Sequence, residues 1–130
     1  MYPDQSVYMG NWESGQRSGN GTFRNLDGTK YEGDWAKDLR NGAGRLSFPN
    51  GDVVEGSWKK DTLHGTIQYS FLNGDVLTGK YQKGAPIGDV SVTLKDSGKE
   101  QIFPWPETDA STVEAQAHAA RDHAKSLLSE

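Results

Sequence analysis

The 130-residue sequence contains no cysteine, and its 14 Lys and Arg residues are outnumbered by 18 Asp and Glu residues, for a net charge of -4. Without cysteine, neither a disulfide framework nor a thiolate metal site can form. A chain of net negative charge also lacks the cationic field that holds nucleic acid through its phosphates. We therefore expect a protein without redox chemistry and without a nucleic-acid partner.

Long apolar runs are also missing. No stretch approaches the ~18 apolar residues of a membrane span, and the N-terminal segment MYPDQSVYMGNW lacks the basic start and apolar run of a signal peptide. These absences predict a cytoplasmic protein.

The motifs of common catalytic sites are absent as well. The sequence has no Gly-x-Ser-x-Gly elbow, no phosphate-binding loop and no paired-carboxylate constellation. His118 and Asp122 are spaced to share a helical face, but no third metal ligand stands near them in the sequence. We expect no enzyme, no catalytic residue, no cofactor and no metal site.

Aromatic residues and glycines, in contrast, recur every 23 residues. The pentapeptide YEGDW at Tyr31 has relatives that begin at Tyr8, Val54 and Leu77. Self-similarity at a fixed period indicates a repeat array. The predicted repeats span residues 8–30, 31–53, 54–76 and 77–99.

Each repeat contains two segments of alternating character. In the first, Tyr31, Gly33 and Trp35 lie on one face of a strand, and polar residues lie on the other. Asp-Gly and Asn-Gly pairs, which favour hairpin turns, separate the repeats. The pattern predicts an all-β repeat fold: a single-layer, twisted antiparallel meander of about eight strands, with one β-hairpin per repeat.

The periodicity ends near residue 95, where the pattern slips by one position. Residues 100–106 are predicted to form an edge segment, and Pro104 and Pro106 stop strand pairing there. The repeat sheet is therefore expected to span residues 1–106.

Residues 107–130 differ in composition and predict one C-terminal amphipathic helix, from Thr112 to Ser129. Ser111 and Glu114 have the spacing of a capping box. The sequence leaves open whether this helix packs on its own sheet or on a second copy. A narrow stripe of small side chains is predicted to dock on the sheet: Val113, Ala117, Ala120, Ala124 and Leu127.

The recurring Tyr-x-Gly-x-Trp, followed by Gly-x-Gly and a turn glycine, resembles the MORN (membrane occupation and recognition nexus) repeat. The units at Tyr8 and Tyr31 match it well, whereas those at Val54 and Leu77 lose the tyrosine and the second glycine. The resemblance implies an elongated sheet of hairpins with an aromatic groove. It also implies a non-catalytic scaffold in a cytoskeletal, ciliary or cell-cortex assembly, with phospholipid binding as an alternative.

We expect the helix to cover the third and fourth repeats and to leave an aromatic groove over the first two. A protein segment, extended or helical, would bind there, with Trp12 and Trp35 as anchors. The competing interpretation is that the rings only form the core of the array. The predicted groove residues are Tyr8, Trp12, Phe23, Tyr31, Trp35, Phe48 and Trp58.

Charge is also arranged by turn. Turns between repeats carry acidic residues, including Asp52 and Asp75, and are expected at the opposite edge from the basic turns. The basic turns are explained by solvation, by orientation of a charged partner peptide, or by attraction to anionic lipid headgroups. They carry Arg17, Lys37, Arg40, Lys59, Lys60 and Lys83.

The free edge strand near Val7 to Trp12 offers a third mode of interaction, self-association. The chain is accordingly expected to be a monomer or a homodimer.

Overall fold

The computed structural model describes residues 6–108 and 111–128. Residues 1–5, 109–110 and 129–130 lie outside the described part; they include the start of the predicted repeat sheet and the end of the predicted helical segment.

Nine strands pair in chain order and form one open antiparallel sheet, followed by a single helix. The predicted meander is confirmed, with one hairpin for each 23-residue unit. The ninth strand is the predicted edge segment. The strands are β1 (Val7–Glu13), β2 (Gln16–Arg24), β3 (Lys30–Ala36), β4 (Leu39–Ser47), β5 (Val53–Lys59), β6 (Thr62–Ser70), β7 (Val76–Gln82), β8 (Ala85–Thr93) and β9 (Glu100–Pro104).

The turns explain why every repeat has the same register. Within the second repeat the hairpin turns at Lys37 and Asp38, with φ of 51° and 72°, and Lys60 and Asp61 adopt nearly the same values in the third. Aspartate tolerates this left-handed conformation, and the first and fourth repeats have glycine at the position of the aspartate. Because each hairpin is the same, all first strands have 7 residues and the second strands have 9.

The repeated glycines provide room for tyrosine rings. A Cβ atom added to Gly44 would overlap the ring of Tyr31, and one added to Gly21 would overlap the ring of Tyr8. Each ring therefore lies directly on the backbone of the neighbouring strand. This close approach is the reason that glycine stands in the middle of a strand, where it otherwise weakens pairing.

The one-residue slip in the pattern lengthens the last turn. The N–H of Phe71 bonds to the carbonyl of Asp75, four residues on, whereas the N–H of Leu94 bonds to the carbonyl of Lys99, five residues on. The extra residue is absorbed in the turn, so β9 still pairs with β8.

Helix α1 (Val113–Leu128) begins one residue later than predicted, and its cap differs. The Thr112 hydroxyl accepts a hydrogen bond from the N–H of Ala115 at 3.2 Å, so Thr112 is the N-cap. The predicted capping box at Ser111 and Glu114 is therefore wrong, since the helix starts one position beyond it.

The stripe of small side chains faces the sheet within the same chain. Ala117, Ala120 and Ala124 are fully buried in the hydrophobic core, and Val113 is half-buried against it. Leu127 lies at the end of the helix and remains 37% exposed.

The helix lies over the third and fourth repeats and the edge strand, in agreement with the sequence hypothesis. Gln116 accepts a hydrogen bond from the Tyr81 hydroxyl at 2.6 Å. His118 packs edge-on against Phe71, and His123 against Phe103.

Candidate partner-binding cleft

A cleft of about 350 Å³ lies on the apolar face of the first two repeats, away from α1. No residue of α1 contributes to its lining. We call it the aromatic cleft; it is lined by Arg17, Phe23, Asn25, Thr29, Tyr31, Trp35, Arg40, Leu46 and Asp61.

The predicted groove residues differ in how much surface they offer. Trp35 and Trp58 are each only 6% exposed, and Tyr31 is 3% exposed, so these rings belong to the core. Trp12, at the same position of the first repeat, is 53% exposed. The half-buried members of the set are Tyr8, Phe23 and Phe48.

Trp35 is buried because an arginine covers it. The guanidinium carbon of Arg17 lies 4.4 Å from the centre of the Trp35 ring, and Arg17 Nε donates to Asp38 Oδ1 at 2.6 Å. The hydrogen bond from Arg17 holds the pKa of the Asp38 carboxyl below its usual value. Stacking and ion pairing therefore fix the guanidinium over the indole.

The next repeat contains the same arrangement. Arg40 stacks on Trp58 at 4.2 Å and donates from Nε to Asp61 Oδ1 at 2.6 Å. We call the Arg17–Asp38 and Arg40–Asp61 pairs, each on its tryptophan, the arginine clamps. Both pairs have a sequence separation of 21 residues and repeat at the 23-residue period, a signal that the sequence contained.

The arginine clamps reduce the number of basic side chains that are free to bind a partner at the basic edge. Arg17 and Arg40 are paired with carboxylates and stacked on rings, so they are only partly available to a charged partner. The remaining basic turn residues are exposed: Lys37, Lys59, Lys60 and Lys83.

The acidic turns at the opposite edge contain buried carboxylates. Asp52 and Asp75 are each only 3% exposed. Asp52 accepts hydrogen bonds from the Tyr69 hydroxyl at 2.8 Å and from the N–H of Leu72 at 2.9 Å. These two carboxylates are structural groups that tie one turn to the next.

The same carboxylates hold the helix. His118 Nε2 lies 2.8 Å from Asp52 Oδ2, and Arg121 Nη1 lies 3.7 Å from Asp75 Oδ2 while its guanidinium stacks on Phe71 at 4.2 Å. We call these contacts the helix clasp. The sequence did not reveal it, because the partners are 66 residues apart in the first pair.

The pKa of Asp52 reflects this environment. Burial raises it, but the hydrogen bonds from Tyr69, Leu72 and His118 outweigh burial, and the pKa is lower than the ordinary value. The carboxylate is thus the stable form in the folded protein.

Asp52, Glu114 and His118 place their side-chain ligand atoms within 4.8 Å of one another, a spacing that a metal ion can bridge. The hydrogen bonds argue for the clasp instead. Arg121 Nη2 lies 3.3 Å from His118 Nδ1, and a guanidinium can only donate, so Nε2 carries the hydrogen that bonds to Asp52. The imidazole lone pair is therefore directed away from the carboxylates.

The buried tyrosine hydroxyls are poor candidates for chemistry. Burial raises the pKa of Tyr31 to about 12, and it also raises the pKa values of Tyr69 and Tyr81. These groups stay protonated at neutral pH and serve as hydrogen-bond donors to Asp34, Asp52 and Gln116.

The family model of the MORN repeat matches residues 8–30, 31–53 and 55–76, which together make up half of the chain. The chain belongs to the MORN-repeat family. The comparison with curated proteins finds no match.

The family model does not extend to the predicted fourth repeat. That unit nevertheless has the strand lengths and antiparallel pairing of the MORN hairpins before it, as β7 and β8. MORN repeats are in general non-enzymatic modules that bind proteins or membranes. Within the described residues, no helix has both the length and the apolar character needed to cross a bilayer.

Proposed function

We propose that this protein is a non-catalytic adaptor that binds a protein segment, extended or helical, in the aromatic cleft. The observation that carries the proposal is the unequal coverage of the apolar face. Helix α1 covers the third and fourth repeats, whereas the cleft over the first two has no such cover among the described residues.

The composition of the cleft favours a protein segment. Phe23 is half-buried in the cleft, whose lining also includes the buried Tyr31 and Leu46. Arg17 and Arg40 also line the cleft, with part of their surface exposed. Aromatic and arginine side chains of this kind dominate the centres of protein interfaces. A depression of about 590 Å³ on the opposite face contains no aromatic side chain in its lining, which makes it a weaker candidate.

The helix shows what kind of segment this sheet accepts. A stripe of alanines is buried in the same core as the aromatic rings, and polar side chains beside it bond to Tyr81 of β7 and to Asp52 in a turn. A partner helix with small residues, or an extended strand, would fit the shallow cleft in the same way. As an adaptor, the protein would act within a cytoplasmic, cytoskeletal, ciliary or cell-cortex assembly.

Site-directed photo-crosslinking tests the proposal. A photoreactive amino acid replaces Phe23 in the cleft, or Gln68 on the opposite face as the matched control, and cell extract supplies candidate partners. We expect a specific crosslinked protein from position 23 only. The purified partner should bind a Phe23→Ala variant about tenfold more weakly than the parent, because an aromatic anchor is lost.

Equal crosslinking from both positions, or an unchanged affinity of a folded Phe23→Ala variant, would contradict the adaptor proposal. The same variant should retain its circular dichroism spectrum, since Phe23 is only half-buried.

Membrane binding is the second candidate, and the four exposed lysines at one edge favour it. Each basic residue near an anionic surface contributes about 1 kcal/mol. Co-sedimentation with vesicles containing phosphatidylserine should then fall steeply as salt rises. A Lys37→Glu, Lys60→Glu, Lys83→Glu variant should lose this binding and keep the protein partner, which separates the two functions.

A further inference from the structure

At the open edge of the sheet, β1 lacks the neighbouring strand that covers the tryptophan in the second and third repeats. Trp35 is covered by Arg17 of the preceding repeat, and Trp58 by Arg40. Tyr81 is the equivalent ring of the fourth repeat, and it is buried, with contacts to Trp105 and to Gln116 of α1. In the second and third repeats the ring is therefore covered by an arginine of the strand before it.

Trp12 breaks this rule. Among the described residues no arginine lies over its ring, and it is 53% exposed where the equivalent rings are 6%, 6% and 2% exposed. Within residues 6–108, β1 pairs with β2 and with no other strand. A strand on the free side of β1 would supply the cover that the Trp12 ring lacks.

The free side of β1 can accept another strand. Among the described residues β1 is an edge strand, and the unpaired backbone groups of an edge strand are a ready template for pairing. β1 contains no proline, its one charged residue is Glu13 at its end, and Val7 and Met9 are 38% and 60% exposed. The register shift in β1 recurs in β3, which still pairs with the strand before it.

The chain itself contains two examples of the strand that fits. β2 covers β3 and β4 covers β5, and both covering strands contain Arg-x-Gly-x-Gly, beginning at Arg17 and Arg40. In the first example Gly19 pairs with Trp35 and Gly21 pairs with Gly33. β1 has the same Tyr-x-Gly-x-Trp pattern as β3, and it can receive the same strand in the same register.

We propose that β1 is a strand-docking site for an extended partner segment containing Arg-x-Gly-x-Gly. The segment pairs antiparallel with β1, its glycines lie opposite Trp12 and Gly10, and its arginine stacks on the Trp12 ring. A second copy of this chain is not the ligand, because its two strands with this motif are each paired on both sides. The inference goes beyond the adaptor proposal, since it concerns the sheet edge and not the aromatic cleft.

The hairpin of β1 lacks the aspartate that the internal repeats have. Asp38 and Asp61 anchor the clamp arginines, but Gly15 occupies the equivalent position beside β1. Gly15 has φ of 78°, close to the 72° and 75° of the two aspartates, and a Cβ atom there would meet nothing within 4 Å. A Gly15→Asp variant should therefore fold normally and hold the incoming arginine more tightly.

The test is a titration of the full chain with a peptide of the sequence QRSGNGTFR, that of residues 16–24. Chemical shifts of backbone amides should change at β1. A peptide with alanine in place of its first arginine, or a Trp12→Ala protein, should bind about tenfold more weakly. The Gly15→Asp variant should bind the parent peptide about threefold more tightly and the alanine peptide no better.

Two lysine variants provide the matched control. Met9→Lys adds a charge to the β1 edge and should weaken binding, whereas Ile102→Lys adds the same charge to the β9 edge and should leave it unchanged. Shifts confined to Phe23 and Leu46 would place the peptide in the aromatic cleft and overturn the edge proposal without affecting the adaptor proposal.

A fusion of the peptide to the protein allows the same test if the free peptide binds weakly. The same nine residues are fused ahead of the chain through a flexible linker, which raises the effective concentration to about millimolar. The fusion should raise Tm by about 3 °C, and the alanine version should not. Equal Tm values for the two fusions, or equal affinities for the two peptides, would overturn the proposal.

Discussion

At the residue scale, the repeats show how two positions change together. Tyr31 and Gly44 form a large–small pair, in which the ring fills the space that the glycine leaves. The third repeat has Val54 and Ile67 at the same positions, and both are fully buried. Two medium side chains fill the volume of one large and one absent side chain. The third repeat therefore loses the tyrosine and the glycine together, because the core must stay filled and the two side chains share one volume.

A double-mutant cycle on Tyr31 and Gly44 tests this coupling. Gly44→Ile alone should destabilise the fold by about 3 kcal/mol, since a Cβ at this position overlaps the buried Tyr31 ring. Tyr31→Val combined with Gly44→Ile should be more stable than the sum of the single changes predicts, by about 1–3 kcal/mol. Urea unfolding of the four proteins measures this directly. Additive single effects would show that the two positions are independent.

At the scale of elements, α1 is held by polar contacts as well as by its alanine stripe. Alanines allow close approach but bury little area, so they specify the position of the helix poorly. The helix clasp fixes the position of α1 on the sheet, because His118 and Arg121 contact two particular turns, at Asp52 and Asp75. The turn before the second repeat has Thr29 where the later turns have Asp52 and Asp75, so it lacks the carboxylate that the helix clasp uses.

Acid should therefore loosen the helix clasp. The pKa of Asp52 is lower in the folded state than its ordinary value of 3.8, so its stabilisation is present above that value and is lost as pH falls below it. Asp52→Asn should cost about 2 kcal/mol at neutral pH and flatten the fall in stability between about pH 5 and pH 2. Thermal unfolding across this range measures both effects.

Asp96→Asn is the control for this experiment, since Asp96 is an exposed aspartate at the same edge. It should leave the neutral-pH stability unchanged. An Asp52→Asn protein with the parent's acid profile would show that the carboxylate does not support the helix.

At the scale of the whole molecule, the sheet is covered unequally. The fully buried side chains of the sheet lie in the third and fourth repeats, with Tyr69, Ile67 and Leu77 among the largest. The first repeat has only half-buried rings and an exposed tryptophan. Regions with few buried contacts open more readily than the core. A gradient of stability along the sheet follows from this asymmetry.

Hydrogen exchange should reveal the gradient as slower exchange in β6–β8 than in β1–β3. Ala120→Glu places a charge under the helix, at a cost of several kcal/mol, and should remove the protection of β7–β9. Ala115→Glu, on the exposed side of the same helix, should leave it unchanged. Uniform exchange along the parent sheet, or equal effects of the two variants, would contradict this account.

Much of the fold was predictable because it depends on short-range rules. Strand alternation and Asp-Gly or Asn-Gly turns act within about ten residues, and they specified the hairpins and their order. The cap of α1 was misplaced by one residue, since serine and threonine are both good caps and stand next to each other at Ser111 and Thr112; the structure shows that Thr112 caps the helix.

The sequence by itself determined the period, the hairpins, the apolar face and the helical character of the last segment, all of which are set by neighbours along the chain. Only the tertiary structure decided which rings are covered and by what. Arg17 reaches Asp38 and Trp35 across strands, and His118 reaches Asp52 from a distant helix. Such contacts depend on the spatial order of strands and on competition for the apolar face, which no local pattern encodes.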